Sequence, residues 1–145
     1  MGGDDQWPTL REKVHAADIL VLLTPTWMGQ QSSVAQRVLE RLDAELSETD
    51  DAGRPILFDK VALAVIVGNE DGAQHIAAIL FQSLNDVGYS VPAQASVYWN
   101  GEAMQTVDYK DLDETPEKVA QATATAARNA ARLAGLLKAD GYPAE

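Results

Sequence analysis

Two apolar runs, I-L-V-L-L and V-A-L-A-V-I-V, mark the strands of this chain. Neither run alternates with polar residues, which is typical of parallel strands that are covered on both faces. We therefore predict strands at Asp18–Thr24 and Lys60–Val67. A shorter third strand is predicted at Ser90–Ala95, where Pro92 indicates a strand start or a sheet edge.

Apolar residues recur at helical spacing in four further segments, each of which predicts a helix with one buried stripe. The predicted helices are Trp7–Ala17, Ser33–Leu46, Ala73–Val87 and a last helix that opens at Asp113–Glu117 and ends at Gly141. The residues expected on the buried stripes are Leu10, Val14 and Ala17, then Val34, Val38, Leu39 and Leu42, then Ile76, Leu80 and Leu84, and finally Val119, Ala126, Ala130, Leu133 and Leu137.

The order helix, strand, helix, strand, helix, strand, helix indicates an α/β fold with a parallel sheet and right-handed crossovers. A length of 145 residues and a hydrophobic fraction of 46% fit one globular domain over residues 1–145.

The first two predicted strands both end in loops that are rich in turn residues. Ligands bind at the carboxyl ends of the strands in open parallel sheets, so these loops are the candidate site. A Trp placed there can lie flat against a planar ring. The first loop consists of Thr24, Pro25, Thr26, Trp27, Met28 and Gly29, and the second of Gly68, Asn69, Glu70, Asp71, Gly72 and Ala73.

The first loop, T-P-T-W-M-G, resembles the flavin-contacting loop of the flavodoxin-like, NAD(P)H-dependent FMN reductases, which often show T-P-x-[WY]-x-G after their third strand. The second loop is similar to the segment that wraps the pyrimidine end of the isoalloxazine in that family. Tyr98–Met104 resembles a further family segment, and the resemblance runs from Trp7 to the end of the chain. It implies a flavodoxin-like three-layer sandwich, FMN as cofactor, NAD(P)H as electron donor and the twelve loop residues as the cofactor-binding set.

The resemblance also implies that the fold is N-terminally incomplete, with three strands and four helices recognisable. The family begins with a strand and a loop that holds the FMN phosphate at a helix N-terminus, and no counterpart precedes Trp7. A fragment, a shortened gene model and a genuine short product remain open. The strand at Ile19–Leu23 would then be an apolar sheet edge, which is prone to self-association.

In a flavoenzyme the cofactor carries the hard chemistry, so no catalytic side chain is expected. Trp27 would contact the ring, or else pack locally on the next helix. Backbone amides of Gly68 to Ala73 would stabilise reduced flavin, unless this is an ordinary turn in which Asn69 and Asp71 act as caps. Glu70 and Asp71 would oppose that charge unless they point outward.

Composition narrows the remaining classes. A net charge of −11 disfavours nucleic acid and anionic membranes as partners. The absence of Cys excludes disulfides and thiolate chemistry, and His15 and His75 lack metal-ligand spacing. Without a signal peptide or an apolar span, a cytoplasmic location is expected. The resemblance and the missing first unit leave three hypotheses: an FMN-dependent oxidoreductase that reduces a small-molecule acceptor, a truncated non-enzymatic fragment, and an electron-transfer flavodoxin. The resemblance also implies a homodimer for the full-length protein.

Overall fold

The computed structural model describes residues 5–144. Its helices are α1 (Trp7–Ala16), α2 (Ser33–Leu42), α3 (Ala73–Asp86) and α4 (Glu117–Ala139). Its strands are β1 (Ile19–Trp27), β2 (Gln30–Gln31), β3 (Val61–Val67) and β4 (Ser96–Trp99). Two short 3₁₀ helices lie at Asp43–Ser47 and Tyr109–Asp111.

The strands form one sheet in the order β2-β1-β3-β4. β1 and β3 run parallel over seven register pairs, from Ile19 opposite Val61 to Pro25 opposite Val67. β4 is also parallel to β3, whereas β2 is antiparallel to β1 and touches only its last two residues. The carboxyl ends of the three parallel strands therefore meet at one edge of the sheet.

Helices lie on both faces of the sheet, and this confirms the predicted three-layer α/β sandwich. β3 is covered on both faces as predicted, but β1 is not, because Val21 and Leu23 remain exposed. Apolar residues of α1, α2 and α3 form one core with the first face of the sheet, which includes Leu22 and Ile66. The opposite face packs against α4, where Ala126, Ala130 and Ala134 lie against Val61, Leu63 and Val97. These small α4 side chains let the helix backbone approach the sheet closely.

The first strand extends further than predicted, to Trp27, and includes Pro25, which was predicted to lie in the loop after it. In a parallel strand alternate residues direct their N–H and C=O groups to the same neighbour. The carbonyl of Asp18 accepts a hydrogen bond from the N–H of Val61 on β3, so in β1 the N–H and C=O groups of the even-numbered residues are directed at β3. Those of the odd-numbered residues, including Pro25, are directed at the opposite side. The missing N–H of Pro25 therefore costs no ladder hydrogen bond.

The third parallel strand lies later than predicted, at Ser96–Trp99 instead of Ser90–Ala95. Ser90 makes only an isolated bridge to Val61. The chain then leaves the sheet, because Pro92 has no N–H to donate and Gln94 adopts a φ of +61°. It returns at Ala95, whose carbonyl accepts from Ala64 at 3.1 Å.

The helix predictions hold for α1, α3 and α4, with one correction in α2. That helix stops at Leu42, and the 3₁₀ helix Asp43–Ser47 takes the place of the last predicted turn. The tighter turn carries the Glu45 carboxylate into the protein, where it accepts from Arg11 at 2.6 Å and contacts His15 at 2.7 Å. Leu10 and Val34 were predicted to be buried and are not, because both line an open groove between α1 and α2.

Among residues 5–144, no helix combines the length and the apolar composition that crossing a bilayer requires.

Candidate functional site

The end of β1 forms a tight hairpin with β2. Trp27 pairs with Gln30, and the two residues between them, Met28 and Gly29, both have positive φ angles of 51° and 74°. Positive φ at both central residues is the mark of a type I′ turn. Gly29 adopts it freely, whereas Met28 is a non-glycine residue in a left-handed conformation and is held there by its surroundings.

The loop between β3 and α3 packs directly against this hairpin through two glycines. Gly72 has a φ of +123°, and a Cβ at this position would lie 2.6 Å from the Cα of Gly29. Such a separation is far below van der Waals contact. The close approach of the two loops thus requires that residue 72 has no side chain.

Two side-chain contacts join the same pair of loops. The backbone N–H of Met28 donates to Glu70 Oε2 at 2.7 Å, which places a charged acceptor opposite the strained residue. Gln30 Nε2 lies 3.2 Å from His75 Nε2 in the first turn of α3. The two loops predicted as the site therefore form one connected unit at the carboxyl edge of the sheet.

A third segment, residues 100–112, follows β4 and folds back over this edge; we call it the strap. Asn69 anchors the strap, because its side-chain amide donates to the Gln105 carbonyl at 3.0 Å and to Asp108 Oδ1 at 3.1 Å. The N–H of Met104 donates to the Asn69 carbonyl at 2.7 Å. The rings of Trp99 and Tyr109 meet edge to face with centroids 5.4 Å apart.

The two loops and the strap enclose a cavity of about 450 Å³ at the ends of β1 and β3. This volume lies within the range of small-molecule sites. Three aromatic side chains, Trp27, Trp99 and Tyr109, line it together with the apolar Pro25 and Val67. The remaining lining residues are Thr26, Gly68, Asn69, Glu70, Asp108 and Lys110.

Six of the twelve predicted site residues line this cavity, and six do not. The six that line it are Pro25, Thr26, Trp27, Gly68, Asn69 and Glu70. Thr24 is fully buried, and its hydroxyl accepts from the Ser32 N–H at 2.9 Å and donates to the Pro25 carbonyl, so it shapes the strand end. The others, Met28, Gly29, Asp71, Gly72 and Ala73, build the hairpin and the start of α3 around the cavity.

The polar groups of the cavity are suited to a planar heterocycle. Thr26 is 3% exposed, and its hydroxyl has no hydrogen-bond partner in the described residues. A buried polar atom of this kind is costly unless a ligand or water satisfies it. A flavin ring carries donors and acceptors along its pyrimidine edge, so the residues present fit such a ring.

The backbone N–H groups of Gly68 to Ala73, which were predicted to stabilise reduced flavin, are not all available. Gly68 was expected to offer its N–H to a flavin, but this group donates to the Trp99 carbonyl at 3.1 Å and ties β3 to β4. The next amides precede α3, whose N-cap Gly72 supplies no side-chain cap. Within residues 5–144, no hydrogen bond involves the N–H groups of Asn69, Glu70, Asp71 or Gly72. These residues lie at the same end of the sheet as the cavity, and Asn69 and Glu70 line it.

Five residues of the cavity wall lie outside the predicted set: Val67, Trp99, Asp108, Tyr109 and Lys110. Trp99 falls within Tyr98–Met104, the segment that the family resemblance had indicated. Val67 is the last residue of a predicted strand, and its position at the strand end could have indicated it. The three strap residues carry no periodic pattern. They are held at the site by the hydrogen bond from Asn69, about 40 residues earlier in the chain, to Asp108 and by the contact of Tyr109 with Trp99.

Two known proteins are each 42% identical to this chain over 100 residues or more. A Streptomyces davaonensis enzyme named 8-demethyl-8-aminoriboflavin-5'-phosphate synthase is 42% identical over 100 residues, which are 69% of this chain and 39% of that enzyme. A Mycobacterium bovis protein named divalent metal cation transporter MntH is 42% identical over 107 residues, 74% of this chain but 16% of that protein.

Solved structures share the fold over nearly the whole chain. RosB, in a crystal structure with the bound intermediate 8-demethyl-8-formylriboflavin-5'-phosphate, gives a TM-score of 0.87 at 34% identity and covers 97% of this chain and 56% of RosB. An oxidoreductase from Corynebacterium diphtheriae gives 0.63 at 16% identity over 96% of this chain and 65% of that one, which shows the fold alone.

This chain thus spans less than two thirds of the length of each of these relatives. A family model described as NADPH-dependent FMN reductase matches residues 1–104, which include both loops of the candidate site. The chain therefore belongs to the NADPH-dependent FMN reductase family, with a flavodoxin-like fold.

Proposed function

We propose that this domain binds FMN, with the isoalloxazine ring in the cavity at the carboxyl ends of β1 and β3, and acts as an NAD(P)H-dependent flavin oxidoreductase. The observation that carries the proposal is the cavity itself. It brings the aromatic rings of Trp27, Trp99 and Tyr109 and the orphan hydroxyl of Thr26 together at the edge where α/β proteins bind ligands.

In this proposal Trp27 provides the flat apolar contact for the ring. Its side chain is 59% exposed at the mouth of the cavity, which leaves surface free for a ligand. Thr26 would supply a hydrogen bond from beneath once the ring displaces the atoms that cover its hydroxyl, whose oxygen has almost no accessible surface in this structure. A buried hydroxyl that gains a partner contributes about 0.5–1.5 kcal/mol, and more relative to its unsatisfied state.

The amides ahead of α3 hold negative charge at the pyrimidine end. Bound FMN would itself supply the hydride and electron chemistry, as the cofactor does in every flavoenzyme. The chain contributes the unpaired N–H groups of Asn69 to Gly72 and the positive end of the α3 dipole. The Glu70 carboxylate opposes this effect, because it lines the cavity while its Oε2 accepts a hydrogen bond from the Met28 N–H.

The family supports NAD(P)H as the electron donor and a small molecule as the acceptor, in the cytoplasm where reduced nicotinamide is abundant. We further propose that the full-length protein forms a homodimer. An electron-transfer flavodoxin would share the ring site but would not react with nicotinamide, so the donor reaction separates the two functions.

The test is a titration of the purified chain with FMN and riboflavin, followed by quenching of tryptophan fluorescence. Addition of NADH or NADPH without oxygen should then bleach the visible absorbance of the bound flavin. Binding without bleaching would favour the electron-transfer role. No binding of either flavin at millimolar concentration would refute the ring site.

A second candidate is that the flavin phosphate is a substrate. The observation in its favour is that RosB holds a formylated flavin phosphate and that the Streptomyces davaonensis relative is named for making an aminated one. Mass spectrometry of the flavin recovered after turnover distinguishes the two functions. A cofactor returns with its mass unchanged, and a substrate does not.

A further inference from the structure

Asn69 lies on the cavity wall, but its side-chain amide donates its hydrogen bonds to the strap and not into the cavity. Both of its amide hydrogens are used by the strap, on the Gln105 carbonyl at 3.0 Å and on Asp108 Oδ1 at 3.1 Å. Its backbone carbonyl accepts from Met104 at 2.7 Å. One residue of the β3–α3 loop therefore makes three hydrogen bonds to the strap.

The strap has few other anchors to the rest of the fold. Most of its residues are exposed, and two of its backbone positions, Gly101 and Met104, have positive φ angles of 54° and 70°. Tyr109 packs on Trp99 and donates to Thr115 at 3.2 Å. A segment with so few buried contacts opens at low free energy, so each hydrogen bond from Asn69 supplies a large share of the free energy that keeps the strap in place.

The alternative role for Asn69, as a cap of the following helix, does not fit the geometry. The N-cap of α3 is Gly72, three residues further on, and it receives no side-chain cap. The Asn69 amide is directed at the strap and not at the N–H groups of the first helical turn.

We propose that Asn69 is a positioning residue that holds the strap closed over the cavity and thereby controls how long a flavin stays bound. This rests on the proposed function, because it assumes that the cavity receives the flavin ring. Asn69 does not act on the ring with its side chain; it acts through Asp108, Tyr109 and Lys110, which the strap contributes to the cavity wall.

The experiment measures riboflavin dissociation by stopped flow and the hydrogen exchange of residues 100–112 in the full chain. Asn69→Ala should speed dissociation about tenfold to a hundredfold, the effect expected for loss of two hydrogen bonds, and should speed amide exchange in the strap. Asn69→Asp should be at least as harmful, because it places a second carboxylate next to Asp108.

A double variant in which the Asn and Asp side chains are exchanged tests the contact itself. In Asn69→Asp with Asp108→Asn, the amide of residue 108 can donate to the carboxylate of residue 69, while the Gln105 carbonyl loses its donor, so retention should recover in part. Recovery would show that the contact between residues 69 and 108, and not the Asn69 side chain by itself, controls retention. Asn85→Ala is the matched control, because Asn85 also donates to a backbone carbonyl, that of Tyr89 at 3.0 Å, far from the cavity. It should lower the free energy of unfolding without changing riboflavin dissociation.

Equal dissociation rates for the unchanged chain and Asn69→Ala would overturn the inference, and so would a strap that exchanges faster while retention stays the same. If the unchanged chain binds no riboflavin, the proposed function fails and this inference fails with it. That result is distinguishable because it appears before any substitution is made.

Discussion

The indole of Trp27 is exposed at the mouth of the cavity, and this sets a direct expectation for its removal. Trp27→Ala should weaken flavin binding by about 1–3 kcal/mol, the usual loss for a large aromatic contact, and Trp27→Phe should retain most of the affinity. Isothermal titration calorimetry measures both. Because the side chain is largely exposed, the free energy of unfolding should change little in either variant. Unchanged flavin affinity in Trp27→Ala would assign the indole to packing within the hairpin.

A substitution at Gly72 tests the close packing of the hairpin against the β3–α3 loop. Gly72→Ala adds a Cβ that would lie 2.6 Å from the Cα of Gly29, at a φ of +123° that disfavours any side chain. We expect a loss of about 1–3 kcal/mol in stability and a larger loss in flavin binding, because the hairpin must move away from the β3–α3 loop. Urea unfolding and calorimetry report the two effects separately.

Gly135→Ala is the matched control for this substitution. Gly135 lies inside α4 with no atom within 4 Å of an added Cβ. Alanine there should stabilise the chain by about 0.5–1 kcal/mol, because Gly is a poor residue in a helix interior. Equal effects of the two substitutions would contradict the close packing of the loops.

At the scale of elements, a buried carboxylate joins α1 to the 3₁₀ helix after α2. Burial alone would raise the pKa of Glu45, but the hydrogen bonds from Arg11 and His15 outweigh it and hold the pKa below the usual carboxyl value. A carboxylate with a lowered folded pKa stabilises the fold above its unfolded pKa, and the contribution disappears as the pH falls through the folded pKa. The native state should therefore lose stability on acidification below about pH 5, near the ordinary carboxyl range.

Substitution separates Glu45 from other acidic groups. Glu45→Gln should lower the free energy of unfolding at neutral pH by about 1–3 kcal/mol, because the Arg11 guanidinium loses its charged partner. The loss is limited because Arg11 is partly solvated. The same variant should show a flatter loss of stability below pH 5. Glu48→Gln is the control, since this exposed carboxylate lies 3.7 Å from Arg11 and should have little effect at either pH. Identical acid profiles for the unchanged chain and Glu45→Gln would show that other groups govern acid unfolding.

The outer edge of β1 is a second feature at the scale of elements. Within residues 5–144 no strand pairs with its outer side before Thr26, and Val21 and Leu23 are 52% and 61% exposed. Unpaired backbone groups beside exposed apolar side chains form a template for edge-to-edge pairing. We expect the isolated chain to self-associate, as measured by light scattering. Leu23→Lys should suppress this, because a charged side chain on an edge opposes pairing. A monodisperse unchanged chain would contradict the expectation.

The elements that could be predicted are those specified by a local pattern. β3 and the buried row of α3, Ile76, Leu80 and Leu84, lie where apolar spacing puts them. The hairpin was missed because Pro25 reads as a strand breaker until its position on the outer side of the sheet is known, and because Met28 gives no turn signal. The strap escaped prediction for a different reason. Its course is fixed by hydrogen bonds to a residue more than 30 positions away, and no local window of sequence contains that information.

At the scale of the whole molecule, the distribution of charge leads to an expectation about FMN and riboflavin. The chain carries a net charge of −11, and in the described part of the cavity wall the sole cationic side chain is Lys110, 3.9 Å from the Asp108 carboxylate. A phosphate held by several charge-assisted hydrogen bonds would gain about 1.5–3 kcal/mol from each. We see no such cradle among these lining residues. The chain of 145 residues should therefore bind FMN and riboflavin within about tenfold of each other.

Parallel calorimetric titrations with the two flavins test this prediction. A strong preference for FMN would show that the phosphate meets cationic or amide donors outside the cavity described here. Weak, equal binding of both flavins would mean that ring contacts alone set the affinity of this chain.

The contact between Gly29 and Gly72 also has a consequence for how such a site can change over generations. A Cβ on residue 72 would lie 2.6 Å from the Cα of Gly29, whereas a Cβ on residue 29 would lie 3.8 Å from the Asp71 carbonyl, so it is the β3–α3 loop that cannot accept a larger residue while the hairpin stays where it is. A lineage that shifted its ligand preference by rebuilding the hairpin would have to alter the β3–α3 loop in step. We expect residues 28–30 and 70–72 to covary among relatives, and a hairpin transplanted alone from a divergent relative to fold poorly until its partner loop is transplanted with it.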